Sequence, residues 1–138
     1  PSNPLSEALV RVRRLARPGS RVILISDGFS ADSAIASPLA LLAEHCDIAA
    51  IVISDPLEFT APPAGRYAVR IDTATHVLDF GHSDLRAAWP GIFSERRANL
   101  LAQLDKRALP WTWLETRSEP ERELAGLLSG VRRLRSTA

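Results

Sequence analysis

Arg21-Val22-Ile23-Leu24-Ile25-Ser26-Asp27-Gly28 is the stretch that decides the fold. Four consecutive large apolar residues without polar alternation fit a parallel strand covered on both faces. The shortness of the run and its β-branched content select a strand over a helix. Upstream, Leu5, Ala8, Leu9, Val12, Leu15 and Ala16 lie at helical spacing and predict an amphipathic helix over 5–17, stopped by Pro18-Gly19. Downstream, a second helix runs to about His45, with Ser37-Pro38 offering an N-cap followed by proline. Ile48 to Ser54 repeats the buried-strand pattern and ends at Asp55-Pro56.

The remainder follows by the same rules. Tyr67 to Asp72 and His76 to Phe80 predict a hairpin around Thr73-Ala74-Thr75. Ser83 caps a long helix to about Arg107, with a kink expected at Pro90-Gly91. Pro110 to Glu115 reads as a last strand, and Ser118-x-x-Glu121 as a capping box opening a helix to about Arg135. Strands alternating with helices of this length predict an α/β domain with a parallel sheet and right-handed crossovers.

The 138 residues fit a single domain, residues 1–138. A composition of 46% hydrophobic and 24% charged residues excludes a disordered or collagen-like chain. No apolar run approaches the roughly 18 residues of a membrane helix, and no signal-peptide pattern opens the sequence. The lone Cys46 cannot form an internal disulfide and points to a reducing compartment, so the expected location is the cytoplasm. Net charge +1 argues against a dedicated nucleic-acid binder. The chain begins Pro1-Ser2-Asn3 and contains no Met, which suggests a piece of a longer protein.

Ligands in open α/β sheets collect beyond the carboxyl ends of the strands. Asp27 ends the first strand, Asp55 the second with Glu58 three residues on, and Glu115 and Thr116 the third. Oxygen ligands on one rim would suit Mg²⁺, or a small α/β hydrolase or phosphatase using Asp27 and Asp55. Equally, each Asp reads as the cap of a turn or helix. His45, His76 and His82 share no spacing that implies convergence, and no nucleophile elbow or phosphate-binding glycine motif is present. Arg11, Arg13, Arg14 and Arg17, and again Arg132, Arg133 and Arg135, lie on or beside amphipathic helices. They read as solvated faces or as docking sites for an acidic partner.

Val22-Ile23-Leu24-Ile25-Ser26-Asp27 after an Arg-rich helix and Arg17-Pro18-Gly19 resembles the fourth strand of von Willebrand factor A-like domains. Ser54-Asp55-Pro56-Leu57-Glu58, then Pro62-Pro63-Ala64-Gly65 and a hairpin, resembles the bacterial family called domain of unknown function 58. So does the later helix carrying Phe93, Ser94, Arg96, Arg97 and Leu100. The resemblance spans nearly the whole chain but only the second half of that family's domain. It implies a three-layer half-Rossmann fragment, mainly parallel, with an inserted hairpin and a signature loop of Asp55, Pro56, Glu58 and Gly65. It further implies a non-enzymatic assembly or interaction role beside a MoxR-type AAA+ ATPase or its client. Of the three metal-binding loops of such domains only Asp27 has a counterpart, since Asp32-Ser33 is followed by Ala34 and Ile35. The fragment alone is therefore expected to hold no metal tightly, whereas a full-length parent could hold Mg²⁺ and carry a membrane tether.

Two structural expectations follow. Glu58 should pair with Arg66 or Arg70 on the hairpin. The Val22–Ser26 strand, central in the family's strand order, should expose an edge here and pair antiparallel with a second copy, unless the first helix folds over it.

Overall fold

The computed structural model describes residues 4–71, 73–121 and 124–125. Its fold is mixed α/β: a three-stranded parallel sheet, a separate antiparallel hairpin, and helices between them. In chain order the elements are α1 (Leu5–Leu15), β1 (Arg21–Ser26), α2 (Ala36–Ala43), β2 (Asp47–Ser54), β3 (Arg66–Ile71), β4 (Ala74–Asp79), α3 (Ser83–Lys106) and β5 (Trp111–Glu115). Short 3₁₀ turns, Ser33–Ile35 and Pro56–Glu58, precede α2 and follow β2.

The sheet order is β1-β2-β5, all parallel, with Arg21 opposite Asp47 and Ala50 opposite Trp111. β2 is central, and its unbroken apolar run is buried on both faces, as a parallel interior strand requires. One face, carrying Ile48, Ala50 and Val52, packs against Leu5 and Leu9 of α1, Leu39 and Leu42 of α2, and Leu100 and Leu104 of α3. The other face is covered only in part: Ala49 and Ile51 are buried with Ile53, Leu114 and Leu124 packed on them. Among the described residues β1 is an edge strand, and the expectation that it is covered on both faces is corrected. Ile23 is 43% exposed and Ile25 59%.

Local chemistry sets the boundaries. α1 opens after Pro4 without a side-chain cap; instead the Leu5 N–H donates to the Ser30 carbonyl at 2.9 Å. Gly19, at φ +81°, turns the chain and donates to the His45 carbonyl at 2.7 Å, tying the start of β1 to the start of β2. Ser37 does not cap α2. The helix continues directly from the 3₁₀ turn, and Pro38 sits buried in its first turn, where a missing N–H is harmless. The hairpin turn is tighter than expected, because Ile71 pairs with Ala74 and the connection is residues 72–73. His82, not Ser83, is the N-cap of α3, and Pro90 lies inside that helix without ending it.

α3 organises the rest. Its Trp89 ring lies edge-on to Phe80 at 4.9 Å, and Phe80 meets Tyr67 of β3 at 5.7 Å, so the hairpin leans on α3 through one buried ring. Asn99 Nδ2 donates to the Asp32 carbonyl at 2.7 Å, and an Arg107 guanidinium N–H donates to the Ala36 carbonyl at 2.7 Å. Residues 120–121 and 124–125 are helical, which is where the capping box was expected to open a helix; its remainder, with Arg132, Arg133 and Arg135, lies outside the described residues. No helix among the described residues is long and apolar enough to cross a membrane.

This packing separates the two sides of α1 and α2. Leu39→Ala, at a fully buried position, should lower unfolding free energy by about 2–5 kcal/mol in urea titrations. Leu15→Ala, at a residue 82% exposed, should stay within about 0.5 kcal/mol of the parent.

Candidate functional site

The three parallel strands end on one rim, and the residues singled out in sequence can be followed there one at a time. After β1, Asp27 is exposed and its Oδ1 accepts the Phe29 N–H at 3.0 Å; Ser26 Oγ accepts the Gly28 N–H at 3.1 Å. Both bonds stabilise a tight turn. Gly28 closes it at φ +79° and is pressed against α3: a Cβ there would stand 3.0 Å from Arg97 Cγ and 3.2 Å from Arg97 Cα. Only glycine satisfies both the backbone angle and that approach.

After β2, Asp55 and Glu58 form a reciprocal cap around the 3₁₀ turn. Asp55 Oδ1 accepts the Leu57 N–H at 2.9 Å, and Glu58 Oε1 accepts the Asp55 N–H at 3.2 Å. Thr116, just past β5, donates its hydroxyl to Asp55 Oδ2 at 2.8 Å, so this carboxylate joins two strand ends. The Leu57 N–H, then the Thr116 hydroxyl, hold the Asp55 carboxyl below its usual value; desolvation opposes them, and the Arg117 charge adds a smaller lowering.

The other Glu58 oxygen, Oε2, accepts from the guanidinium of Arg97 on α3. Glu58 is 15% exposed and Arg97 only 3%. The guanidinium lies 4.8 Å from the centroid of the Phe59 ring and 5.4 Å from that of Trp113. The expected pairing of Glu58 with Arg66 or Arg70 is therefore corrected. The 3₁₀ turn directs Glu58 back under α3, while both hairpin arginines remain exposed. Glu58 was singled out in the sequence, but the cage that joins it to Arg97, Gly28, Phe59 and Trp113 was not. The signal was there, because Phe93, Arg97, Leu100 and Leu104 are spaced as one helical stripe, and a charge within such a stripe demands a buried partner.

The rim thus uses Asp27, Asp55, Glu58 and Thr116 as structural acceptors and donors, and of these Glu58 meets the arginine. Beneath them Ser54 Oγ is buried without a hydrogen-bond partner among the described residues. Among the described residues no three His, Cys, Asp or Glu side chains group as metal ligands. Gly65 stands apart at the base of the hairpin, its carbonyl accepting the Phe80 N–H at 2.8 Å, next to the Tyr67 ring. Arg11, Arg13, Arg14 and Arg17 are exposed on and just beyond α1; Arg11 meets Glu7 at 3.4 Å. Arg11 and Arg14 flank a hollow of about 400 Å³ whose wall includes Val10, Ala34 and Pro38. Comparison of the chain with protein-family models, curated proteins and solved structures finds no match in any of the three.

Removing one member of the buried pair strands the other. Glu58→Ala should destabilise the chain by about 3–5 kcal/mol in urea titrations, and a Glu58→Leu/Arg97→Met double variant should recover much of that loss.

The lowered Asp55 value gives a pH signature. Its contribution is present above the ordinary carboxylate range and disappears as pH falls through the lower folded-state value. Melting curves of the parent and Asp55→Asn should therefore differ at pH 7 and converge in acid.

Proposed function

We propose that this chain is a non-enzymatic α/β interaction module, the second half of a von Willebrand A-like domain of the domain-of-unknown-function 58 type. It serves, in the cytoplasm, a MoxR-type AAA+ ATPase or that ATPase's client. The observation that carries the reading is the engagement of the strand-end carboxylates. Asp27 and Asp55 accept turn N–H groups, and Glu58 is locked to a buried arginine. A general base must be free to take a proton from a substrate, and a carboxylate paired with a guanidinium is a poor one. The parallel order β1-β2-β5 with β1 outermost also supports the reading, being the arrangement that the second half of such a domain would present.

Two surfaces suit protein partners. The arginine flank of α1, with its apolar hollow, fits an acidic segment of the ATPase or client. The outer edge of β1 fits a further strand, from the first half of such a domain or, where that half is absent, from a second copy of the chain. Mg²⁺ belongs to this reading only in a parent that supplies the other ligand loops.

Interferometry with an immobilised MoxR-type ATPase encoded in the same genome provides the test. Saturable binding is expected, weakened about tenfold by an Arg11→Glu/Arg14→Glu variant and weakened further by salt. Absence of binding would overturn the reading. So would turnover of p-nitrophenyl phosphate or acetate that is lost in Asp55→Asn.

A further inference from the structure

The groove between α1 and α2 combines charge of one sign with an apolar wall. From Val10 to Arg17 the chain holds four arginines and no acid. Arg11 and Arg14, one helical turn apart, border the groove where it widens into the hollow of about 400 Å³. Val10, 41% exposed, forms one wall, and Ala34 and Pro38 form the other. Two acids stand nearby, and both are engaged. Glu7 meets Arg11 at 3.4 Å across an exposed turn of α1, and Asp32 Oδ2 accepts the Ser6 hydroxyl at 2.8 Å. An exposed pair such as Glu7 with Arg11 gains little over hydration and exchanges readily. Glu7 therefore holds the place that a visiting carboxylate would take.

The groove does not depend on how the sheet continues. The side of α1 that lines it carries Ser6, Val10 and Arg14. A different side, with Val12, Leu15 and Ala16, borders the start of β1 at Ser20, Arg21 and Val22. A further strand beside β1 would meet that second side, whereas both walls of the groove come from described residues.

We propose that the α1–α2 groove binds a short acidic segment of a protein partner. One aliphatic side chain of the segment enters the hollow, while flanking carboxylates pair with Arg11 and Arg14 and displace Glu7. The proposal rests on the interaction-module reading and deepens it by naming the chemistry that this surface selects. Complementary charge calls for the acids. The apolar wall calls for the aliphatic side chain, which leaves water as Val10, Ala34 and Pro38 close on it. A nucleic acid would satisfy the arginines and leave that wall unmatched.

Fluorescence anisotropy of a labelled peptide with a single leucine among glutamates, titrated with the whole chain, reads the site. Saturable binding is expected. Replacing the peptide's leucine by alanine should weaken it about fivefold, and Arg11→Glu/Arg14→Glu should weaken it at least about tenfold. Ala34→Trp, which fills the hollow and leaves every charge in place, should also weaken binding. Glu7→Gln should tighten it about threefold by removing the internal competitor. All four positions are exposed, and melting curves confirm that each variant is folded. No saturable binding, equal binding of the leucine-free peptide, or indifference to Ala34→Trp would overturn the proposal. So would a single-stranded oligothymidylate that binds more tightly than the peptide, or a loss of affinity in Glu7→Gln. Binding to the ATPase is read separately. A chain that binds it but not the peptide would sink the groove and leave the module reading standing, whereas one that takes the peptide and ignores the ATPase would do the reverse.

Discussion

The Arg97–Glu58 pair is the contact on which the remaining structure depends. An arginine side chain 3% exposed on a helix is tolerated only if its charge is met. Glu58 meets it with a carboxylate, and Phe59 and Trp113 with ring faces. These partners come from different places: the turn after β2 supplies Glu58 and Phe59, β5 supplies Trp113, and the turn after β1 supplies the close approach of Gly28. One side chain of α3 therefore fixes how the ends of all three strands sit under the helix. The cap formed by Asp55 and Glu58 is part of the same device, because it holds Glu58 in the orientation that the guanidinium needs.

That commitment shapes what the rim can do. A row of carboxylates at strand ends looks like a catalytic or metal-binding rim until their partners are counted. Asp55 accepts from a backbone N–H and from Thr116, Asp27 from Phe29, and Glu58 from both Asp55 and Arg97. These hydrogen bonds stabilise turns. Exposed arginines lie elsewhere, on the flank of α1, and exposed apolar side chains on β1, where Ile23 and Ile25 face solvent. Interior-type sequence placed at a sheet edge, as the described residues have it, is the structural tension in this molecule.

Much of the architecture was legible in the chain because it depends on local pattern. The runs 21–26 and 48–54 are too short and too apolar to be surface helices, and the strands observed, Arg21–Ser26 and Asp47–Ser54, differ from them by one residue at most. The stripe of Leu5, Leu9 and Val12 likewise marked α1. Errors arose where two local signals competed. Ser37-Pro38 has the composition of a helix start, yet the chain was already helical by Ala36, and proline is equally at ease anywhere in a first turn. In the hairpin, Ala74 and Thr75 suit a strand as well as a turn, and only the pairing of Ile71 with Ala74 decides between them.

The sequence by itself determined which segments are helix and which are strand, that the strands run parallel through helical crossovers, and that acidic residues crowd their carboxyl ends. These follow from side-chain periodicity and connection length, which act over neighbouring residues. Only the tertiary structure decided which arginine answers Glu58, that the Arg97 side chain of α3 is buried, and that one face of β1 is open. Such facts join residues far apart in the chain: 39 positions separate Glu58 from Arg97. No local preference encodes a partner at that range. It is chosen when packing α3 across the sheet excludes water from a charge and leaves one carboxylate within reach.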